Sequence, residues 1–102
     1  MIVEYSKSFQ KSVEKLSGKM LEAVVKVIIE VKNTGSVEEI QDCKKLTGFI
    51  NVYRIRIGDL RAFLTFHVYI DGNTVKFEYL ITRGQAYSKK TISALQKKDS
   101  FR

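Results

Sequence analysis

With 102 residues and a net charge of +7, the chain is sized for one domain, residues 1–102, with a modest core. No apolar run approaches the ~18 residues of a membrane span, and Met1-Ile2-Val3-Glu4 lacks the charged-then-apolar layout of a secretory signal. Cys43 is the only cysteine, so no intrachain disulfide can form and a reducing compartment is favoured; the expectation is a soluble cytoplasmic protein.

Ile2–Tyr5 is short and β-prone. Ser6 or Ser8 can cap the helix that follows, because a serine hydroxyl satisfies a free backbone N–H there. Phe9, Val13, Leu16 and Met20 then recur at helical spacing, and Ser17-Gly18 breaks the stripe. A second helix carries Met20, Leu21, Val24, Val27, Ile28 and Val31 and ends at Asn33-Thr34-Gly35. The two read as an antiparallel helical hairpin. Ser36-Val37-Glu38-Glu39 fits a capping box for a short third turn.

From Val52 the apolar pattern changes to strand alternation. Tyr53, Ile55 and Ile57 alternate with Arg54 and Arg56, and Gly58-Asp59 turns the chain. Ala62, Leu64, Phe66, Val68 and Ile70 form one face of a long strand, and Asp71-Gly72-Asn73 signals a hairpin. Val75, Phe77, Tyr79 and Ile81 are expected on the apolar face of the last strand, before a helix between Tyr87 and Lys98 with Ile92 and Leu95 inward. The fold class is therefore α+β: an N-terminal helical hairpin packed on a small antiparallel β-sheet, with a short C-terminal helix. Helices on one sheet face leave the other open, and that face is expected to carry Arg54, Arg56, Arg61, Phe63, Thr65, His67, Tyr69, Lys76 and Glu78.

Charge concentrates in this strand-rich half. Residues 1–43 hold six Lys against seven acidic residues, a net of −1, whereas residues 44–102 hold seven Lys and five Arg against four acidic residues, a net of +8. Excess positive charge draws polyanions. Arg54 and Arg56 share a strand face, Arg61 starts the neighbouring strand across a tight turn, and Arg83 leaves the last strand four residues before Tyr87. Arginine presents a rigid donor fork that suits phosphate oxygens, so a converging set of this kind points to RNA.

Other chemistry finds little support. There is no Gly-rich phosphate loop, no Cys/His metal set and no Ser-His-Asp candidate. His67 alone cannot build a zinc site. Cys43 precedes Lys44-Lys45, which would lower its pKa, although a lone thiol is more commonly structural. Lys44, Lys45, Lys89 and Lys90 are candidates for additional RNA contacts, though lysine pairs such as Lys89-Lys90 and Lys97-Lys98 commonly mark a solvated helix face.

Through Leu46-Thr47-Gly48, Tyr53-Arg54-Ile55-Arg56-Ile57-Gly58-Asp59-Leu60-Arg61 and Ile81-Thr82-Arg83-Gly84-Gln85-Ala86-Tyr87, the chain resembles the RelE/ParE toxin superfamily. The order of elements agrees across nearly the whole length. The resemblance implies a toxin of a type II toxin–antitoxin module, restrained by a cognate antitoxin. RelE-like members cleave mRNA in the ribosomal decoding site without a metal, which implies the ribosome and mRNA as partners, no cofactor and no membrane. In those members the catalytic face carries two basic residues separated by one, an arginine opening the next strand, and a terminal arginine followed by a tyrosine. Here those positions read Arg54 and Arg56, Arg61, then Arg83 and Tyr87. RelE itself has lysines where this chain has Arg54 and Arg56, and an arginine cannot give up its proton to serve as a base.

What RNA scission requires then assigns provisional roles. The ribose 2′-oxygen attacks its adjacent phosphorus, leaving a 2′,3′-cyclic phosphate and a 5′-hydroxyl. Tyr87 is the candidate base. Arg61 and Arg56 would stabilise the phosphorane, Arg54 would position the backbone, and Arg83 would stabilise the leaving oxygen. Three alternatives stay open: a ParE-like gyrase inhibitor on the same scaffold, a non-catalytic RNA-binding module in which Phe63 and Tyr69 stack bases, and a decayed toxin that still binds its antitoxin.

Overall fold

In the computed structural model, residues 1–99 are described. They form β1 (Ile2–Tyr5), α1 (Lys7–Glu14), α2 (Gly18–Lys32), a 3₁₀ turn (Val37–Glu39), β2 (Cys43–Lys45), β3 (Val52–Ile57), β4 (Leu60–Tyr69), β5 (Gly72–Thr82) and α3 (Lys89–Lys98). Ser6 caps α1: its Oγ accepts from the Phe9 N–H at 3.0 Å and donates to the Glu78 carbonyl at 2.5 Å. One hydroxyl thus starts the helix and ties it to β5. Gly18 sits at φ +58°, a left-handed conformation that costs glycine little and lets the chain reverse between α1 and α2. The 3₁₀ turn forms and buries Val37, but the Ser36 side chain makes no capping bond, so the expected capping box is not built.

The five strands run β1-β5-β4-β3-β2. The sheet is mixed rather than wholly antiparallel, because β1 lies parallel to β5, with Ile2 opposite Thr74 and Tyr5 opposite Phe77. Strand-forming residues show that a strand exists without showing its partner, hence the difference. β2 was also not legible as a strand: Cys43-Lys44-Lys45 is too short and polar to alternate, and its lysines suit an edge that must resist further pairing.

The helical hairpin packs one sheet face. Phe9 sits at the centre of that core, with ring centroids 4.9 Å from Phe77 and 5.9 Å from Tyr5, and Val24, Val31, Ile55, Ile57, Leu64 and Val75 surround it. At the hairpin tip only Ile70 and Asp71 lie between the paired residues Tyr69 and Gly72, so Ile70 is fully exposed in the turn instead of extending the apolar strand face.

A β-bulge overturns the alternation expected of β5. Phe63 pairs with Tyr79 while the next residue, Leu64, pairs with Phe77, leaving Glu78 as the extra residue. A single inserted residue exchanges the two faces of everything beyond it. Val75, Phe77 and Leu80 therefore enter the main core, whereas Tyr79 and Ile81 cross to the opposite face and pack against Val52, Phe63, Ala86 and Leu95. That second face is not open. α3 lies across it, and Arg61, Phe63, Thr65 and Glu78, expected at the surface, are all buried. Alternation assigns residues to faces but does not say which face a later helix will cover. Among the described residues no helix is long and apolar enough to cross a membrane.

Candidate functional site

Register places the basic residues in two rows. Lys44, Arg54 and Phe63 stand side by side across β2, β3 and β4; Arg56 and Arg61 stand side by side in the next row. Directly opposed residues share a face with Cβ atoms ~4.5–5.5 Å apart. Arg54, Arg56 and Arg61 therefore rise from one small area at the end of the sheet.

Beyond β5 the chain turns back over this area. Gln85 N–H bonds to the Thr82 carbonyl at 3.0 Å, Ala86 is buried, and Ser88 caps α3 by accepting from the Thr91 N–H at 3.3 Å. Tyr87 is thereby brought onto the sheet. Its ring meets Phe63 edge-on, with centroids 6.3 Å apart and planes at 90°, and its phenol oxygen accepts from Arg54 Nη1 at 3.3 Å. The Nε of Arg54 is buried with no partner among the described residues. A donor held out of water without an acceptor is costly.

Arg61 is held differently from the expectation of a free phosphate fork. Its Nη1 donates to the carbonyls of Gly58 and Leu60, both at 2.8 Å, so the guanidinium braces the β3–β4 turn from a nearly buried position. Gly58 makes this possible at φ +56°. The Arg83 backbone N–H bonds to the Asp59 carbonyl in the same turn at 2.8 Å, which fixes the exit of β5 beside it. The side chains of Arg56 and Arg83 are exposed and have no hydrogen-bond or ion-pair partner among the described residues. Arg56 stands where β2 has ended and also lines a cleft of about 500 Å³ with Lys26, Val27, Glu30, Gln41 and Asp42. The structure thus joins Arg54 to Tyr87, sets Arg61 and Arg83 about the adjoining turn, and leaves Arg56 at the margin.

Lys44 and Lys45 are exposed on edge strand β2, and Lys89 and Lys90 are exposed on the first turn of α3, just after Tyr87. His67 lies further along β4, with Nε2 3.0 Å from Thr65 Oγ1 and its ring stacked on Tyr69 at 5.9 Å. Phe63 is too deeply buried to stack a base. Cys43 is not an activated thiol: burial, only partly opposed by the positive charge of Arg54, pushes its pKa up to about 11, contrary to the lowering expected from Lys44-Lys45. Glu78 and Asp99 were not singled out by sequence. Glu78 read as an ordinary strand carboxylate, and only the bulge reveals it as buried. Among the described residues no cluster of His, Cys, Asp or Glu could hold a metal ion.

A mixed five-stranded sheet with a helical hairpin on one face and a short helix on the other is the architecture of the RelE-like toxins. The toxin fold of the RelB–RelE antitoxin–toxin complex from Methanococcus jannaschii matches at a TM-score of 0.66 and 28% identity, over 82% of this chain and 94% of that one. The archaeal RelE–RelB complex from Pyrococcus horikoshii matches at 0.64 and 25%, over 83% and 97%. A free-state structure of Escherichia coli toxin RelE, at 18% identity, shares the fold at a TM-score of 0.66 over 95% of both chains. No protein-family model matches the sequence. Toxin RelE3 of Methanocaldococcus jannaschii, however, is 30% identical over 88 residues, spanning 85% of this chain and 96% of that relative. The chain belongs to the RelE toxin family, and is a toxin of the type II toxin–antitoxin class.

Proposed function

We propose that this toxin is a ribosome-dependent, metal-independent endoribonuclease that cuts mRNA. The observation that carries the reading is the Arg54–Tyr87 contact, which sets a phenol against a guanidinium on the arginine-bearing end of the sheet. In the proposed step Tyr87 first gives its phenolic proton to solvent, and the phenolate then takes the proton of the ribose 2′-hydroxyl as the 2′-oxygen bonds to phosphorus. The bond from phosphorus to the 5′-oxygen breaks, giving a 2′,3′-cyclic phosphate and a 5′-oxygen that is protonated from solvent. Arg54, through the end of the guanidinium that meets Tyr87, and the exposed Arg56 hold the phosphate. Arg61 raises the local positive potential from behind the turn, and Arg83 meets the charge on the leaving oxygen. A well-placed donor of this kind is worth ~3–4 kcal/mol in the transition state.

Lys44, Lys45, Lys89 and Lys90 flank the site and would follow the RNA backbone on either side. The proposed partners are thus the ribosome with its message, and a cognate antitoxin like the RelB chains that accompany the related toxins in their complexes. A net charge of +8 in the strand-rich half suits an acidic or amphipathic antitoxin segment that folds on binding.

Mapping mRNA 5′ ends after brief induction tests the reading. Wild type should create new ends within translated frames, and the Arg83→Ala/Tyr87→Phe double variant should not. Growth arrest with intact message and damaged DNA would replace RNA by gyrase as the target. Neither arrest nor cuts would leave a binding module.

A further inference from the structure

Tyr87 lies just before α3, and two carboxylates that the proposed chemistry does not use meet the far end of that helix. Asp99, just past the helix, accepts from the backbone N–H groups of Ile50 and Asn51 at 2.8 and 2.7 Å. Glu78, the bulge residue of β5, is turned beneath α3 and is 3% exposed. Its Oε2 accepts from Thr65 Oγ1 at 2.8 Å, and its Oε1 lies 3.8 Å from Lys98 Nζ on the last turn of the helix. A carboxylate out of water is stable only when compensated. Docking α3 takes this carboxylate out of water; Oε1 accepts no hydrogen bond among the described residues, so the Lys98 ammonium at 3.8 Å is what compensates it and ties the end of the helix to β5. Between the two anchors Leu95 fills the space among Val52, Phe63 and Ala86. At the near end Thr91 Oγ1 donates to the Gln85 carbonyl at 2.9 Å, so the segment carrying Tyr87 is fastened on both sides.

Tyr87 needs this support. It is half exposed, and its own attachments are one edge-on ring contact and one 3.3 Å hydrogen bond. These are weak against the freedom of a surface side chain. Catalytic groups must nevertheless be held tightly, since a misplacement of ~1 Å can cost ~10²-fold in rate.

We propose that Glu78 and Asp99 are positioning residues: they latch α3 onto the sheet and thereby hold the Tyr87 phenol on Arg54. The kinetic consequence rests on the nuclease reading above, but the placement of Tyr87 can be measured without RNA. The full chain, with ring-labelled tyrosine, is compared by NMR as wild type, Asp99→Asn, Glu78→Gln and Arg54→Ala, with Tyr87→Phe identifying the Tyr87 signal among five tyrosines. Both latch variants should move that signal toward its position in Arg54→Ala and leave the other tyrosines in place. Amide exchange over residues 86–98 should quicken about tenfold or more while β3 is unchanged. Single-turnover cleavage of ribosome-bound message should fall about tenfold to a hundredfold in kcat at constant KM, and Asp99→Glu should recover part of it.

An unmoved Tyr87 signal in both variants overturns the proposal, as does faster exchange spread evenly through the sheet. A moved signal with undiminished cleavage overturns it too. If wild type itself leaves message uncut while the signal moves as expected, the nuclease reading falls and the latch stands. Should Glu78→Gln fail to fold, Asp99→Asn decides alone, because among the described residues its carboxylate bonds to the backbone of the loop before β3.

Discussion

Tyr87→Phe separates chemistry from stability more cleanly than any other change in this molecule. It deletes one oxygen and keeps the ring that rests edge-on against Phe63. The only hydrogen bond lost is the 3.3 Å contact from Arg54, at the long end of the range and at a half-exposed residue. A net hydrogen bond contributes ~0.5–1.5 kcal/mol, and this geometry places the loss near the lower figure. For a domain of this size ~1 kcal/mol moves Tm by ~4–8 °C, so a shift of less than about 4 °C is expected. A general base, by contrast, is worth ~10²–10⁴-fold, or about 2.7–5.4 kcal/mol in the barrier. The kinetic effect should therefore exceed the stability effect at least about fourfold in energy. Thermal unfolding by circular dichroism and single-turnover cleavage of ribosome-bound message measure the two sides. Cleavage within about threefold of wild type would show that the phenol takes no proton, and the roles assigned here would fail.

Phe9→Ala should cost about 3–5 kcal/mol, because the ring is buried and stacked between Tyr5 and Phe77; urea unfolding checks it, and a loss below about 1.5 kcal/mol would mean that the aromatic stack is not the anchor of the main core. Cys43, with its pKa raised to about 11, should alkylate at pH 8 about a hundredfold more slowly than an ordinary thiol. The same shift has a stability sign. The folded chain keeps the Cys43 proton to higher pH than the unfolded chain, so its contribution is complete below the ordinary thiol pKa of 9.0 and is lost as pH rises toward about 11. That alkaline loss should vanish in Cys43→Ala. Lys44→Gln, beside Arg54 on the edge strand, should weaken RNA binding and flatten its log–log salt slope by ~0.7, with kcat unaltered. An unchanged slope would remove Lys44 from the interface.

Much of the fold could be read from local signals. Ser6 marks the start of α1, Ser17-Gly18 the break before α2, and Ser88 begins α3 inside the interval expected for it. The arginines of β3 and β4 fell on one face because neighbouring strands joined by a two-residue turn have a fixed register. What escaped was whatever depends on distant chain segments. The pairing of β1 with β5 spans most of the sequence, and the bulge at Glu78 shows only in the register of β5 against β4. Alternation carried through that bulge put Tyr79 and Ile81 on the wrong side. It also left Phe63 and Thr65 at the surface, where α3 packs with its Leu95 against Phe63, and Arg61, which the β3–β4 turn holds buried. At the site, residue identity was legible while residue role was not: Arg61 is engaged with two carbonyls, a fact no spacing encodes.

With arginine at both basic positions of β3, the site has few groups able to exchange a proton. His67 is four residues along β4 from Phe63, ~13 Å at strand rise, and is engaged with Thr65 and Tyr69. Cys43 is held protonated and packs against the helical core. Tyr87 is bonded to the Arg54 guanidinium, the exposed Lys44 opposite Arg54 is the other nearby proton carrier, and in the proposed step the leaving oxygen takes its proton from solvent. Rate must then come from electrostatic stabilisation, ~3–4 kcal/mol for a well-placed donor, and from having the 2′-oxygen already in line with phosphorus. An exposed sheet end cannot by itself impose that alignment on a flexible strand, but a ribosome holding the message can. Ordering the reacting atoms is worth up to ~7–11 kcal/mol in favourable cases, and even about 4 kcal/mol would separate the two substrates by ~10³-fold. Cleavage of naked RNA should therefore be slower than that of ribosome-bound message by about three orders of magnitude under matched single-turnover conditions. Equal rates would mean that Arg54, Arg56 and Tyr87 align the strand unaided, and the dependence on the ribosome inferred from their chemistry would be wrong.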